Sequence, residues 1–153
     1  MPSFSTKRRV KHSASDMFDL VADVEKYPDF VPLCDGMKVR SRTDKADGVS
    51  VMIAEMTVAY KLIRQTFTSR ATLDKAGNTI LVEYLDGPFS RMQNRWKFVA
   101  TGERSCDVEF FIDYEFKSRT FGMLMGAVFD TVFRRMAAAF EKRADEVSGR
   151  KPV

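Results

Sequence analysis

The most regular pattern in the chain is its C-terminal run, Phe121–Val147, in which apolar residues recur with the spacing of an α-helix. They occur every three or four positions from Phe121 to Phe140, which is typical of a helix with one broad buried face. The first half of the run is apolar on nearly every side, whereas the second half carries polar residues such as Arg134 and Arg135. We predict a helix about 40 Å long, at ~1.5 Å per residue, wrapped by the rest of the chain.

A second pattern, with a period close to two, extends from Met37 to Lys117. Apolar and polar residues alternate there, and pairs such as Asp47-Gly48 and Gly77-Asn78 are turn signals between the alternating runs. The predicted strands are Met37–Thr43, Val49–Val58, Ile63–Leu73, Thr79–Leu85, Met92–Ala100 and Cys106–Lys117. Their alternation predicts an antiparallel sheet with one buried face and one solvated face.

The N-terminal part adds a strand and a helix. Phe4–His12 alternates like a strand, and Ser13 or Ser15 can cap a helix that ends before Pro28. The connection that follows, YPDFVPLCDG, is apolar for a loop, so we expect it to fold inward or to cover an apolar site. The order of elements predicts an α+β helix-grip fold, in which a curved antiparallel sheet of about seven strands surrounds the long C-terminal helix.

The composition is that of a soluble globular protein. The chain has 153 residues, 44% hydrophobic and 30% charged, so we expect a single domain over residues 1–153. The longest apolar run, Phe121–Phe129, is far shorter than the ~20 residues of a membrane span, and the N-terminus has no apolar segment of a secretory signal. Cys34 and Cys106 are the two cysteines, and we expect free thiols in a cytoplasmic protein.

The charge is mildly basic, with a formal net charge of +4. Basic residues concentrate in four short clusters, Lys7–Lys11, Lys38–Arg42, Arg134–Arg135 and Arg150–Lys151. Solvated faces and termini explain such clusters, and a surface for an anionic membrane or for RNA is the alternative.

The residues that support common catalytic sites are scarce. His12 is the only histidine, and neither cysteine belongs to a CxxC pair, which argues against a zinc site or a Cys–His or Ser–His nucleophile. Gly122 and Gly126 have the GxxxG spacing but lie inside the predicted helix, where it favours close packing of strands on the helix or room for a ligand. We predict no metal, no cofactor and no catalytic residue.

An apolar interior with a few polar groups remains. One predicted strand places Met92, Asn94 and Trp96 on its inward side, and the indole and amide groups need hydrogen-bond partners, either within the protein or on a ligand. The chain also has nine methionines. Flexible methionines fill irregular cores, and a pocket for a flexible apolar ligand would use them in the same way.

Three segments, YPDFVPLCDGMKV, GPFSRMQNRWKFV and FIDYEFKSRTFGMLMG, resemble the coenzyme Q-binding family of the START-like, polyketide-cyclase-like group. The resemblance extends essentially from the first strand to the terminal helix. It implies a helix-grip fold that holds a hydrophobic molecule between the sheet and the C-terminal helix. Mitochondrial members bind ubiquinone and support cellular respiration, whereas some bacterial relatives are ribosome association toxins that impede joining of the subunits. No transit peptide precedes the first strand, so we expect a bacterial protein.

The resemblance implies ligand-binding positions at Pro32 and Leu33 in the loop and at Trp96 in its strand. Alternation adds further apolar positions, and the need of quinone carbonyls for hydrogen-bond donors adds polar ones. The predicted ligand-binding set is Phe30, Val31, Pro32, Leu33, Phe89, Met92, Asn94, Trp96, Tyr114, Met125 and Phe129.

The first hypothesis is non-catalytic binding of ubiquinone or a similar polyprenyl lipid and its delivery to respiratory enzymes. The segment Tyr27–Leu33 would act as a lid, and the basic clusters would approach anionic headgroups at the inner membrane. The alternative is a ribosome association toxin whose basic clusters contact RNA phosphates. A third candidate is a cyclase-type enzyme that uses Glu55, Asp113 or Tyr114 as acid or base.

Overall fold

The main layer of the fold is a seven-stranded antiparallel sheet in the order β1-β7-β6-β5-β4-β3-β2. A computed structural model describes residues 3–147 of the chain. The strands are β1 (Ser3–Val10), β2 (Cys34–Asp44), β3 (Val49–Tyr60), β4 (Ile63–Asp74), β5 (Thr79–Asp86), β6 (Phe89–Gly102) and β7 (Ser105–Phe116). Every predicted strand is present with its ends shifted by a few residues. The predicted basic cluster Arg150–Lys151 lies outside the described residues.

Two α-helices complete the fold. Helix α1 (Ala14–Ala22) begins after Ser13, whose Oγ accepts a hydrogen bond from the Asp16 backbone N–H at 3.0 Å. It ends earlier than predicted, and a short 3₁₀ segment, Val24–Asp29, follows and contains Pro28. Helix α2 (Arg119–Val147) starts two residues before the predicted run. The curved sheet and the long terminal helix confirm the predicted helix-grip fold.

The core lies between α2 and the inward face of the sheet. Strand β7 shows why the chain folds this way, because every second residue from Cys106 to Tyr114 is buried. Helix α2 buries one stripe against these strands, and Phe140 on this stripe is 0% exposed. The Phe140 ring centroid lies 5.0–5.2 Å from those of Tyr27, Phe30 and Trp96. The first half of the apolar loop, with Tyr27 and Phe30, therefore folds inward, which is one of the two arrangements expected from its sequence.

The first turns of α2 differ from the sequence prediction. Met123 and Leu124 are 82% and 63% exposed, although the apolar pattern indicated a segment wrapped on all sides. The sheet lies against only one side of these turns, the side that carries Met125 and Phe129. Close packing explains only one helix glycine: a Cβ at Gly122 would meet Phe116 at 3.3 Å, whereas a Cβ at Gly126 would meet nothing within 4 Å.

One end of the sheet gathers several connections, and we call it the Leu62 end. The β3–β4 hairpin turns there at Lys61–Leu62, between the paired residues Tyr60 and Ile63. Residues 32–33 lead into β2 at this end, because Cys34 pairs with Val58. Residues 117–118 join β7 to α2 at the same end. Helix α2 therefore starts at the Leu62 end and extends across the sheet.

Candidate ligand-binding site

An apolar cavity of about 100 Å³ lies between the sheet and α2. Its walls come from β2 to β7, from α2 and from residues around the end of α1. The walls are almost entirely aliphatic, methionine or aromatic side chains, among them Met52, Met56, Val82, Met92, Val132 and Met136. No carboxylate or histidine is among the described residues that line it. The cavity can hold an apolar group, and its walls carry no general acid or base of those types.

Five of the predicted ligand-binding residues meet in this cavity. They come from β6 and α2, and they are Phe89, Met92, Asn94, Trp96 and Phe129. Phe89 is 0% exposed, and its ring packs edge-on against Phe67 at 5.4 Å and against Phe129 at 5.8 Å between centroids. The alternation of β6 therefore faces Met92, Asn94 and Trp96 toward the cavity, whereas Phe89 has the opposite parity and faces it because of the register irregularity between Phe89 and Arg91.

The other six predicted residues do not line the cavity. Tyr114 and Met125 are buried beside it, and the Tyr114 ring packs on Phe133 at 5.0 Å. Phe30 packs on Phe140, and the Arg143 guanidinium lies 5.2 Å from the centre of the Phe30 ring. The remaining three residues belong to the loop: Val31 is buried, and Pro32 and Leu33 line a separate outer groove.

The two polar groups of β6 are hydrogen-bonded to the protein. Trp96 Nε1 donates to Asn94 Oδ1 at 3.0 Å, and Asn94 Nδ2 donates to the Phe111 carbonyl at 2.9 Å. The single indole donor is therefore used within the protein. Asn94 keeps one further N–H, since its amide nitrogen carries two hydrogens and only one of them is needed for Phe111.

Sequence reasoning missed two polar residues of the cavity wall, Ser69 and Tyr27. Ser69 lies on the same inward side of β4 as Phe67 and Ala71, so strict alternation along that strand could have found it. The Tyr27 hydroxyl donates to the Val21 carbonyl at 2.5 Å, which fixes the start of the loop against α1. Burial raises the pKa of Tyr27 far above its usual value, so this phenol stays protonated.

The outer groove has a volume of about 360 Å³ and lies between the loop, the end of β3 and α2. Pro32, Leu33 and Tyr60 form one side, and Ala127, Val128, Thr131, Val132 and Arg135 form the other. Leu33 has a φ of +62°, and its carbonyl accepts a hydrogen bond from Ala59 N–H at 3.0 Å, which sets it beside the end of β3. Val132 lines both the groove and the inner cavity.

The candidate acids of an enzyme lie on the outward face of the sheet. Glu55 forms an ion pair with Arg40, and Asp113 pairs with Arg91 at 3.1 Å. The Arg91 hydrogen bond lowers the pKa of Asp113, so this carboxylate is ionised and solvent-facing. Burial raises the pKa of Cys34 and of Cys106 to about 11, which keeps both thiols protonated.

Two other kinds of site are absent from residues 3–147. In that range no group of three or more His, Cys, Asp or Glu side chains could hold a metal ion. Over the same residues, no helix combines the length and the hydropathy needed to cross a membrane.

Comparison with known proteins adds two relatives with different names. The ribosome association toxin RatA of Escherichia coli K12 is 35% identical over 147 residues, covering 96% of this chain and 89% of that protein. The mitochondrial coenzyme Q-binding protein COQ10 homolog B of Xenopus laevis is 29% identical over 154 residues, covering 98% of this chain and 61% of that protein. The two functions predicted from the motifs therefore both occur among the names of its relatives.

Solved structures share the architecture. The solution structure of CC1736 from Caulobacter crescentus has a TM-score of 0.78 at 33% identity, covering 97% of this chain and 99% of its own. The Zhui aromatase/cyclase from Streptomyces sp. R1128 also has a TM-score of 0.78, at 18% identity, covering 97% of this chain and 96% of its own. The likeness to the aromatase/cyclase shows the fold alone. One fold can carry both enzymes and binding proteins, so this likeness does not assign a function.

A family profile described as polyketide cyclase / dehydrase and lipid transport matches residues 10–141. A START superfamily protein from Mycobacterium smegmatis also shares the fold, with a TM-score of 0.78 at 21% identity over 95% of this chain and 98% of its own. The chain belongs to the polyketide cyclase / dehydrase and lipid transport family.

Proposed function

We propose that this protein is a non-catalytic, single-domain carrier that binds ubiquinone or a similar polyprenyl lipid and delivers it to respiratory enzymes. The observation that supports this most is the apolar cavity between sheet and α2, whose described lining contains no carboxylate or histidine. A carrier needs an apolar interior and no reactive group, whereas an enzyme needs a positioned acid, base or nucleophile. The carrier would work in the cytoplasm and reach its lipid at the surface of the inner membrane.

The size of the cavity implies that it expands on binding. Its volume of about 100 Å³ is below the ~150 Å³ that holds a benzene molecule in an engineered cavity. Sites for drug-sized ligands reach roughly 300–1,000 Å³. Methionine side chains can change rotamer at little cost, and Met52, Met56, Met92 and Met136 all line the cavity. Rotation of these side chains, together with a small shift of α2, would admit a quinone ring.

The quinone carbonyls would accept hydrogen bonds from the polar groups of the cavity wall. The second N–H of Asn94 and the Ser69 hydroxyl are the donors available in the lining. Trp96 then acts indirectly, because its bond to Asn94 Oδ1 holds the amide in one orientation. The apolar rings of Phe89 and Phe129 would pack against the ligand ring or the first isoprene units.

Organic extraction of gently purified protein, followed by mass spectrometry, tests this proposal. We expect a quinone or polyprenyl lipid in the wild-type extract. Ala54→Leu should lower the recovered lipid, because Ala54 lines the cavity and the larger side chain fills it. Ala100→Leu, at an exposed position of β6, is the matched control and should retain the lipid. Protein that is repeatedly empty and takes up no added quinone contradicts the proposal.

A ribosome-binding role is the second candidate, and the 35% identity to a ribosome association toxin favours it. Five of the nine basic residues in the three described clusters pair with carboxylates: Arg9 with Asp107 at 2.8 Å and Arg134 with Asp130 at 2.8 Å are examples. Local pairing reduces the charge available to RNA phosphates, so we place this role second. Added protein that lowers 70S formation in sucrose gradients, with a steep salt dependence, would support it. Unchanged 70S profiles argue against it.

A further inference from the structure

We propose that the Leu62 end of the protein docks on an anionic lipid bilayer and that the outer groove is the lipid entrance to the cavity. Val132 is then the side chain that separates the entrance from the interior. The inference rests on the proposed function, because it concerns access to the same cavity. The docking surface is defined here as Leu62, Met123 and Leu124 together with the adjoining groove.

The apolar part of this surface is exposed to an unusual degree. Leu62 is 101% exposed at the tip of the β3–β4 hairpin, and Met123 and Leu124 are the two most exposed apolar residues of α2. Leu124 lies one helical turn before Val128, and Leu62 lies two residues beyond Tyr60. Val128 and Tyr60 both line the groove. The exposed side chains therefore lie next to the rim of the groove. Contact of these apolar side chains with water is unfavourable.

Positive charges surround this apolar rim. Lys61 sits on the hairpin tip, Lys117 and Arg119 lie where β7 passes into α2, and Arg135 lines the groove. None of the four has a carboxylate within ion-pair distance among residues 3–147. Three carboxylates near this end are paired: Asp35 with Arg64, Glu115 with Arg91 and Asp130 with Arg134. Asp86 is an acidic residue of this end that forms no ion pair within residues 3–147. Cations around an inserted apolar tip match the negative headgroups of an anionic leaflet.

An anionic bilayer fits this surface better than RNA does. Leucine and methionine side chains neither stack on bases as aromatic rings do nor bind phosphates, so three of them at the most exposed positions gain nothing from RNA. Burial in the acyl region would remove all three from water at once, while the surrounding lysine and arginine side chains stay at headgroup level.

The groove and the cavity share one wall residue. Val132 lines both spaces, so its displacement would connect them without unfolding the sheet. Gly126 lies nearby in the same helix, and a side chain there would meet nothing within 4 Å. A glycine inside a helix lowers its stability, and the first turns of α2 are therefore the part most easily shifted. Contact with the bilayer would favour such a shift, because it covers the apolar rim.

Vesicle sedimentation without any quinone tests the docking surface. We expect wild-type protein to bind phosphatidylglycerol vesicles at low salt and to bind phosphatidylcholine vesicles far less. The double variant Leu62→Ser with Leu124→Ser should lower the bound fraction about tenfold. Val147→Ser, about 35 Å from Leu124 at ~1.5 Å per residue, removes an apolar side chain that is 55% exposed, against 63% for Leu124, and should bind normally.

Several outcomes overturn the docking proposal. Equal binding by wild type and the double variant, or equal binding to neutral and anionic vesicles, would do so. Loss of ribosome binding by the double variant with unchanged vesicle binding would assign the surface to RNA instead. Quinone loading from detergent solution separates this inference from the proposed function: the double variant should load normally. Failure of every variant to load, with docking intact, rejects only the quinone carrier.

Fluorescence of Trp96 tests the entrance, since Trp96 is the only tryptophan and lines the cavity. A brominated alkane that enters the cavity should quench it. Val132→Ala should speed quenching several-fold, because the smaller alanine side chain leaves less material between the groove and the cavity. Val82→Ala enlarges the same cavity away from the groove and should leave the rate unchanged. Equal acceleration by both variants, or none by Val132→Ala, would place the entrance elsewhere.

Discussion

The two halves of α2 are packed in different ways. The second half is fixed on several sides: Glu141 pairs with Arg8 at 2.6 Å, Asp145 lies 2.6 Å from His12 Nε2, and Arg143 lies 3.7 Å from Asp29. The first half packs through one side only and leaves Met123 and Leu124 exposed. The second half of α2 therefore anchors the fold, whereas the first half is the part in which the proposed lipid entrance lies.

The largest expected difference concerns the anchored half. Phe140→Ala should destabilise the protein by about 3–5 kcal/mol, because Phe140 is fully buried among three other aromatic rings. Leu124→Ala, in the exposed half, should change the free energy of unfolding by less than about 0.5 kcal/mol. Urea denaturation of both variants measures the contrast. Similar losses from the two substitutions would show that the halves are not packed differently.

A smaller effect is expected inside the cavity, which residues of both halves of α2 line. Asn94→Ala removes the acceptor of Trp96 Nε1 and the donor to the Phe111 carbonyl. Leaving buried polar groups without partners costs about 1–3 kcal/mol. The emission of Trp96 should shift as its indole loses the bond, which steady-state fluorescence detects. Ser90→Ala, at an exposed position of the same strand, is the control; an equal loss of stability there contradicts the assignment.

The loop provides a third test, with a modest effect on stability and a larger one on ligand retention. Leu33 is half-buried and lines the outer groove rather than the cavity. We expect Leu33→Ser to lower the free energy of unfolding by about 1 kcal/mol, because only part of the side chain loses burial. Quinone content per folded molecule should fall more clearly. A variant with a much lower thermal midpoint and normal quinone content would show that Leu33 belongs to the core.

The smallest effect, and one of opposite sign, is expected in the first half of α2. Gly126→Ala should stabilise the protein by about 0.5–1 kcal/mol, because alanine favours the helix and its Cβ meets nothing within 4 Å. Gly122→Ala presses on Phe116 at 3.3 Å and should gain less. Thermal midpoints of the two variants provide the measurement. If Gly126→Ala also slows quenching of Trp96, mobility of these turns limits entry.

Much of the fold was predictable because it follows from local alternation. The inward residues of β6 and β7 follow from parity, and Met92, Asn94 and Trp96 of β6 do line the cavity. Phe89 has the opposite parity and faces the cavity because of a register irregularity that parity does not predict. The sequence did not predict that one part of the loop packs inward and the other part faces the outer groove. Phe30 packs inward on Phe140, a distant partner in sequence, whereas Leu33 is set outside by a positive φ that its own sequence does not favour.

The exposure of Met123 and Leu124 could not be predicted for a related reason. An apolar pattern on all sides of a helix indicates burial when stability is the only requirement. Whether strands cover a given turn depends on where the sheet ends relative to the helix, and the apolar pattern of the helix does not contain that information. The hydrogen bond between Trp96 and Asn94 depends likewise on side-chain rotamers rather than on residue type.

The two free edges of the sheet add a consequence for solubility. The sheet does not close, so β1 and β2 each have one side without a neighbouring strand in the described fold. Two of the basic clusters, Lys7–Lys11 and Lys38–Arg42, lie largely on these two strands, and β2 also has register irregularities between Cys34 and Gly36 and between Val39 and Ser41. Positive charge and an irregular edge both oppose pairing of strands between molecules. These clusters thus serve to keep an open sheet from aggregating, whatever else they contact.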